Sequence, residues 1–114
     1  MKTTRIDEGF FVSEQIGPKD VAAAAAAGFR SIICNRPDGE GWGQPKFAEI
    51  EAAAKAAGLQ AAYVPVTPGQ MGERDVRRFA ELIRTLPGPV LGYCRSGARA
   101  ANIWQAAQTL KITG

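Results

Sequence analysis

A chain of 114 residues closes one hydrophobic core and hardly two, so a single domain over residues 1–114 with a single site is expected. Its 14 Lys and Arg are scattered against 11 Asp and Glu for a net charge of +3, which argues against a nucleic-acid partner. No stretch has signal-peptide or membrane-span character, and the lack of His excludes His-based catalysis and most zinc sites; a cytoplasmic protein with no membrane partner, metal or cofactor is expected.

Phe10 to Val12 form a short apolar run, after which Gly17-Pro18 places proline at the first position of an alanine-rich helix that Gly28 should end. The six alanines from Ala22 to Ala27 read as a buried helix. Ser31-Ile32-Ile33-Cys34 is β-favouring and stops at the turn-rich Asn35-Arg36-Pro37-Asp38-Gly39. Pro45 can open the next helix, where Phe47, Ile50, Ala54 and Ala57 recur at helical spacing before Gly58. Leu59 to Val66 reads as a strand broken by Thr67-Pro68-Gly69, and a helix with Val76, Phe79, Ile83 and Leu86 on one face ends at Leu86-Pro87-Gly88. Val90-Leu91-Gly92-Tyr93 is a strand running into Cys94, and Ala100 to Leu110 is the last helix. This alternation predicts an α/β fold in three layers, a mainly parallel sheet of four to five strands with helices on both faces. In such folds the site lies at the carboxyl ends of the strands, where the loops after Cys34, Val66 and Tyr93 converge.

The chemistry is concentrated in Cys94-Arg95-Ser96-Gly97-Ala98-Arg99, between a strand and a helix. A nucleophilic cysteine needs surroundings that favour its thiolate. The loop amides, the positive end of the following helix and Arg99 supply them, and the same groups bind an oxyanion beside the sulfur. Gly97 frees the tight loop from Cβ constraints, and Arg99 grips two oxygens through its planar fork. Arg95 contributes only its N–H if its side chain turns to solvent.

The segments Ile33-Cys34-Asn35-Arg36-Pro37-Asp38-Gly39-Glu40, Val64-Pro65-Val66-Thr67-Pro68 and Tyr93-Cys94-Arg95-Ser96-Gly97-Ala98-Arg99 resemble the bacterial beta-lactamase hydrolase-like family. Its phosphatase-like domain is similar in fold to dual-specificity and tyrosine phosphatases, and some members are fused to persulfide dioxygenases, which makes such an enzyme a candidate partner. The resemblance implies Cys94 as nucleophile, Arg99 as oxyanion-binding arginine, and the loop Arg95, Ser96, Gly97 and Ala98, with Ala100 following, as the cradle. Three departures bear on the activity. Four residues, not five, separate Cys94 from Arg99, a rhodanese-like length; Ala100 stands where phosphatases carry a hydroxyl; and Val66-Thr67-Pro68 lacks the general-acid Asp.

Phosphate-ester cleavage gains about 10²- to 10⁴-fold from a proton donor, whereas sulfane-sulfur transfer expels a better leaving group. Sulfur transfer through a Cys94 persulfide, from thiosulfate or a small persulfide, is therefore the favoured expectation. The alternatives are a phosphatase or hydrolase working on a phosphate ester through a phosphocysteine, and a non-catalytic module that binds anions or phosphoproteins.

Three accessory residues remain. Asp38 is a substitute acid or, preferably, a β-turn residue. Arg36 either adds positive potential at the substrate mouth or is solvated. Cys34 is foremost a small buried hydrophobe, with a resolving thiol as the sharper alternative. Trp42 is expected to anchor its loop and Trp104 to pack a helix. The chain ends soon after its last predicted helix, so a further C-terminal helix of related chains would be missing.

Overall fold

The computed structural model describes residues 1–113, with side chains described through Leu110. Five strands, β1 (Thr3–Asp7), β2 (Phe10–Ser13), β3 (Ser31–Cys34), β4 (Gln60–Tyr63) and β5 (Val90–Tyr93), form one sheet in the order β1-β2-β5-β3-β4. β1 pairs antiparallel with β2, and the other pairings are parallel. Ser13 and Cys34 both pair with Tyr93, and Cys34 also pairs with Tyr63, so four strands end level along one edge of the sheet. The loops that leave this edge build the site.

Alternation along the strands divides the interior. Ile32, Cys34, Leu91 and Tyr93 point to the side of α1 (Pro18–Ala26) and α2 (Phe47–Ala56). Ile33 and Val90 point to the other side, with α3 (Glu73–Thr85) and α4 (Ala98–Thr113), where Phe79 meets Phe10 edge-on at 5.7 Å. Burying strands on both faces is why they read as short apolar runs rather than as alternating patterns. The expected three-layer α/β architecture is therefore the one observed, with five strands.

Several local expectations differ. β1 was not foreseen because Thr3-Thr4-Arg5-Ile6-Asp7 is an edge strand with a mostly polar, exposed sequence. The alanine run is a surface helix rather than a buried one: Val21 and Ala24 face the core, while Ala22, Ala23, Ala26 and Ala27 are exposed. A helix on one face of a sheet buries only a stripe. α2 starts at Phe47, not Pro45, since the Phe47 and Lys46 amides are taken by the Asp38 and Glu49 carboxylates. β4 ends at Tyr63 because Pro65 has no N–H for the ladder, although Val64 and Val66 still donate to the Cys34 and Asn35 carbonyls at 2.9 and 3.0 Å. α4 begins at Ala98, which moves Arg99 from the loop into the first turn of the helix.

Candidate active site

Strand β5 is buried along its whole length and delivers Cys94, 1% exposed, to the level edge of the sheet. The chain then reverses into α4 within Arg95-Ser96-Gly97. Gly97 takes φ 97°, in the left-handed region that glycine favours, and a β-carbon there would sit 3.3 Å from the Ser13 carbonyl oxygen. That conformation aims the Gly97 N–H at Cys94 Sγ, 3.0 Å away. The Arg95 carbonyl accepts from the Gln15 amide at 3.2 Å while its side chain is exposed. Ser96 Oγ accepts the Ala98 amide at 3.3 Å. No acidic residue lies in the first turn of α4, so the positive end of its dipole remains uncompensated beside the sulfur. Ala100, fully buried beneath the loop, offers no hydroxyl.

Arg99 projects from that first turn, and its side chain is 14% exposed. Nη1 donates to Glu40 Oε2 at 2.6 Å and to the Val66 carbonyl at 2.9 Å, and Nη2 donates to Glu40 Oε1 at 2.7 Å. Glu40 therefore holds the Nη1–Nη2 end of the fork and leaves the Nε–Nη2 edge for another anion, because a guanidinium presents five donors in one plane. Glu40 is itself braced: Arg36 Nε donates to its Oε1 at 3.1 Å, and Arg36 Nη1 donates to Gln15 Oε1 at 3.0 Å. Arg36 is thus not a solvated loop residue; it is buried and donates to Glu40 and Gln15. Glu40 is the site residue that sequence reasoning missed. The signal is the second carboxylate of Arg36-Pro37-Asp38-Gly39-Glu40, which stands beside the more conspicuous turn residue Asp38.

The Arg99 hydrogen bond, seconded by Arg36, outweighs burial and holds the Glu40 carboxyl below its usual range. A carboxyl depressed in the native state stabilises the fold fully above its unfolded value of about 4.3 and loses that contribution as pH falls through the native value. Replacing Glu40 with Gln is expected to cost ~1–2 kcal/mol at neutral pH, since a charged partner of a well-covered arginine is lost. The cost should shrink as pH falls below about 4.3, where Glu40 of the unfolded chain protonates first, and vanish below the lower native value, where the folded carboxyl is neutral too. Urea melts of both proteins from pH 3 to 7 test this, and parallel stability–pH curves would contradict it.

Asp38 is engaged at the start of α2. Its amide donates to the Tyr63 hydroxyl at 2.9 Å and its Oδ1 accepts the Phe47 amide at 2.8 Å, so it ties the loop to the start of α2. The turn reading of Asp38 fits this geometry better than the acid reading. Cys34 is buried on the α1–α2 side; burial raises its thiol, opposed foremost by a hydrogen bond from the Tyr93 hydroxyl, and the S–H donates to the Arg36 carbonyl at 3.3 Å. Burial likewise pushes the Tyr93 hydroxyl far above its ordinary value. Both cysteines are free thiols. Asn35, fully buried, joins the strand ends: its amide donates to the Tyr93 carbonyl and its Nδ2 to the Val64 carbonyl. Trp104 stacks on Phe10 at 6.0 Å, as expected of a packing residue. Trp42 does not anchor its loop; it is fully exposed.

Comparison with known proteins agrees with this geometry. A family model described as "Beta-lactamase hydrolase-like protein, phosphatase-like domain" matches residues 3–111. A beta-lactamase hydrolase-like protein of Agrobacterium fabrum is 36% identical over 110 residues, covering 96% of this chain and 26% of its own length. The chain thus spans about a quarter of that relative. A crystal structure of a candidate phosphatase from Neisseria meningitidis superposes with a TM-score of 0.81 at 39% identity, covering 88% of this chain and 71% of the other. The Pseudomonas aeruginosa protein TpbA, solved with phosphotyrosine, shares the fold at a TM-score of 0.61 and 14% identity, covering 83% and 54% of the two chains. These matches support the phosphatase alternative; none supports a sulfurtransferase, a rhodanese-like protein or a dioxygenase partner. Loop length favours sulfur chemistry, but the overall fold is shared with the phosphatase neighbours. The chain belongs to the beta-lactamase hydrolase-like family, of which it forms the phosphatase-like domain.

Proposed function

We propose that this domain is a cysteine-dependent phosphatase that works through a phosphocysteine at Cys94. The observation that carries the reading is the convergence on one sulfur of the Gly97 amide, the open N-terminus of α4 and an arginine whose far edge is already held by Glu40. Preorganised donors of this kind stabilise charge as it develops on a transferred phosphoryl group. The Cys94 thiolate attacks phosphorus, the S–P bond forms, and the bond to the ester oxygen breaks with its electron pair leaving on that oxygen. Water then attacks the phosphocysteine, releasing phosphate and returning the thiolate. The non-bridging oxygens lie on the loop amides and on the Nε–Nη2 edge of Arg99 throughout.

Residues 64–72 contain no carboxylate, and Asp38 is committed to Phe47. The leaving oxygen must therefore depart with little help from a protein acid, which favours substrates whose leaving group is weakly basic. Small phosphate-ester anions of that kind are the proposed substrates, and a reducing, cytoplasmic setting suits the two free thiols.

Intact mass spectrometry after a rapid acid quench tests the reading, with 4-nitrophenyl phosphate and thiosulfate as separate probes. A phosphoryl adduct confined to Cys94 is the expected result with the ester. Sulfur gain from thiosulfate without any phosphoryl adduct would replace the proposal with sulfur transfer.

A further inference from the structure

Ser13 at the end of β2 and Cys34 at the end of β3 both stand level with Tyr93 at the end of β5. Gln15, Arg36 and Arg95 each lie two residues beyond that level, so they leave the sheet as neighbours on three adjacent strands. Gln15 bonds to both of the others. Its backbone amide donates to the Arg95 carbonyl at 3.2 Å, and its side-chain Oε1 accepts Arg36 Nη1 at 3.0 Å. The side-chain amide is held in that sense: Nε2 donates to the Ile16 carbonyl at 2.8 Å, which turns the accepting end toward a guanidinium that can only donate.

From Arg36 the path returns to the loop. Arg36 Nε donates to Glu40 Oε1 at 3.1 Å, and the Glu40 carboxylate takes Nη1 and Nη2 of Arg99 at 2.6 and 2.7 Å. Arg95 and Arg99 are therefore joined twice, once along the Cys94 loop and once through Gln15, Arg36 and Glu40. The second path has a firm floor. Arg36 is 7% exposed, with Nη2 only 2.7 Å from where a β-carbon on Gly41 would lie. Gln44 locks that turn, its Oε1 accepting the Gly41 amide at 3.1 Å and its Nε2 donating to the Pro37 carbonyl at 2.9 Å. A closed ring of this kind fixes the angle of each member, since any member that leaves its place strands a covered polar group.

We infer that Gln15 is a positioning residue of the anion site, setting the angle of the Arg99 fork against the Cys94 loop through Arg36 and Glu40. The catalytic consequence rests on the phosphatase reading. Donors aligned in advance act most on charge that develops in the transition state, so loosening them lowers the rate more than it weakens binding of phosphate in its ground state.

Gln15→Ala tests the inference, because it keeps the backbone bond to Arg95 and removes the acceptor that holds Arg36. With 4-nitrophenyl phosphate it is expected to lower kcat/KM by ~3- to 10-fold, the scale of one covered hydrogen bond, while inhibition by inorganic phosphate changes by less than about 2-fold. The loss is expected to shrink in a Glu40→Gln background, where the path is already broken. Nitrogen-15 relaxation of the Arg99 Nε–H group reads the geometry without any substrate. Its order is expected to fall in Gln15→Ala, while that of Arg77, paired with Glu73 on the exposed face of α3, stays as it was. Unchanged Arg99 relaxation would overturn the inference. So would a lower melting temperature with wild-type kcat/KM, which is what a merely structural role produces, or losses that add fully with Glu40→Gln. If the wild type hydrolyses no aryl phosphate, the phosphatase reading falls, and the Arg99 relaxation by itself then decides whether Gln15 positions the fork.

Discussion

Cys94→Ser is expected to lower turnover of an aryl phosphate by about 10⁴-fold or more while leaving the fold intact. The substitution exchanges sulfur for oxygen in a buried position whose acceptor role toward the Gly97 amide a hydroxyl can keep, so packing changes little. Reactivity changes a great deal. A serine hydroxyl is a far weaker acid than a thiol, and with no His in the chain nothing beside it resembles the base that activates serine in other enzymes. The loop donors would remain, so phosphate should still bind. Steady-state rates with 4-nitrophenyl phosphate, paired with thermal melts, check the expectation. Substantial residual turnover in a folded variant would remove Cys94 from the role of nucleophile.

Arg99→Lys is expected to cost ~10²- to 10³-fold in kcat/KM, the scale of losing one preorganised donor to a developing oxyanion. Charge is conserved, so any loss measures geometry. An ammonium cannot bond both Glu40 oxygens and the Val66 carbonyl while keeping a flat two-donor edge for phosphate. Glu40 gives the experiment a second dimension. If Glu40 acts by holding Arg99, then Arg99→Lys should cost less in a Glu40→Gln background than in the wild type, because the alignment it disrupts is already impaired. Fully additive losses in the double-mutant cycle would show that Glu40 acts independently of Arg99. An Arg99→Lys variant with wild-type kcat/KM would exclude the fork from substrate binding.

Local signals in the sequence were reliable where one residue type has one physical use. Gly17-Pro18 placed the start of α1, and Gly28 and Gly58, both at positive φ, marked the ends of two helices. The strand that runs into Cys94 was legible because β5 is buried on both faces and therefore continuously apolar. Errors arose where a residue's role depends on distant neighbours. An alanine run carries no polar face to reveal its exposed side, so α1 looked buried. Trp42 looked like an anchor because an indole is usually covered, and only the turn locked by Gln44 shows it standing free.

The sequence by itself determined the α/β alternation, the position of Cys94 between strand and helix, and the chemical fitness of Gly97 and Arg99, because all of these follow from short-range backbone constraints and side-chain chemistry. Tertiary structure alone decided what Arg99 is bound to. Glu40 lies 59 positions away along the chain, and it reaches Arg99 only because β3 and β5 are parallel neighbours that end at the same level. The same juxtaposition made Arg36 a brace for Glu40 and tied Asp38 to α2. No local pattern announces which of three charged residues in Arg36-Pro37-Asp38-Gly39-Glu40 will meet an arginine from another loop, since that choice is made by strand order and register.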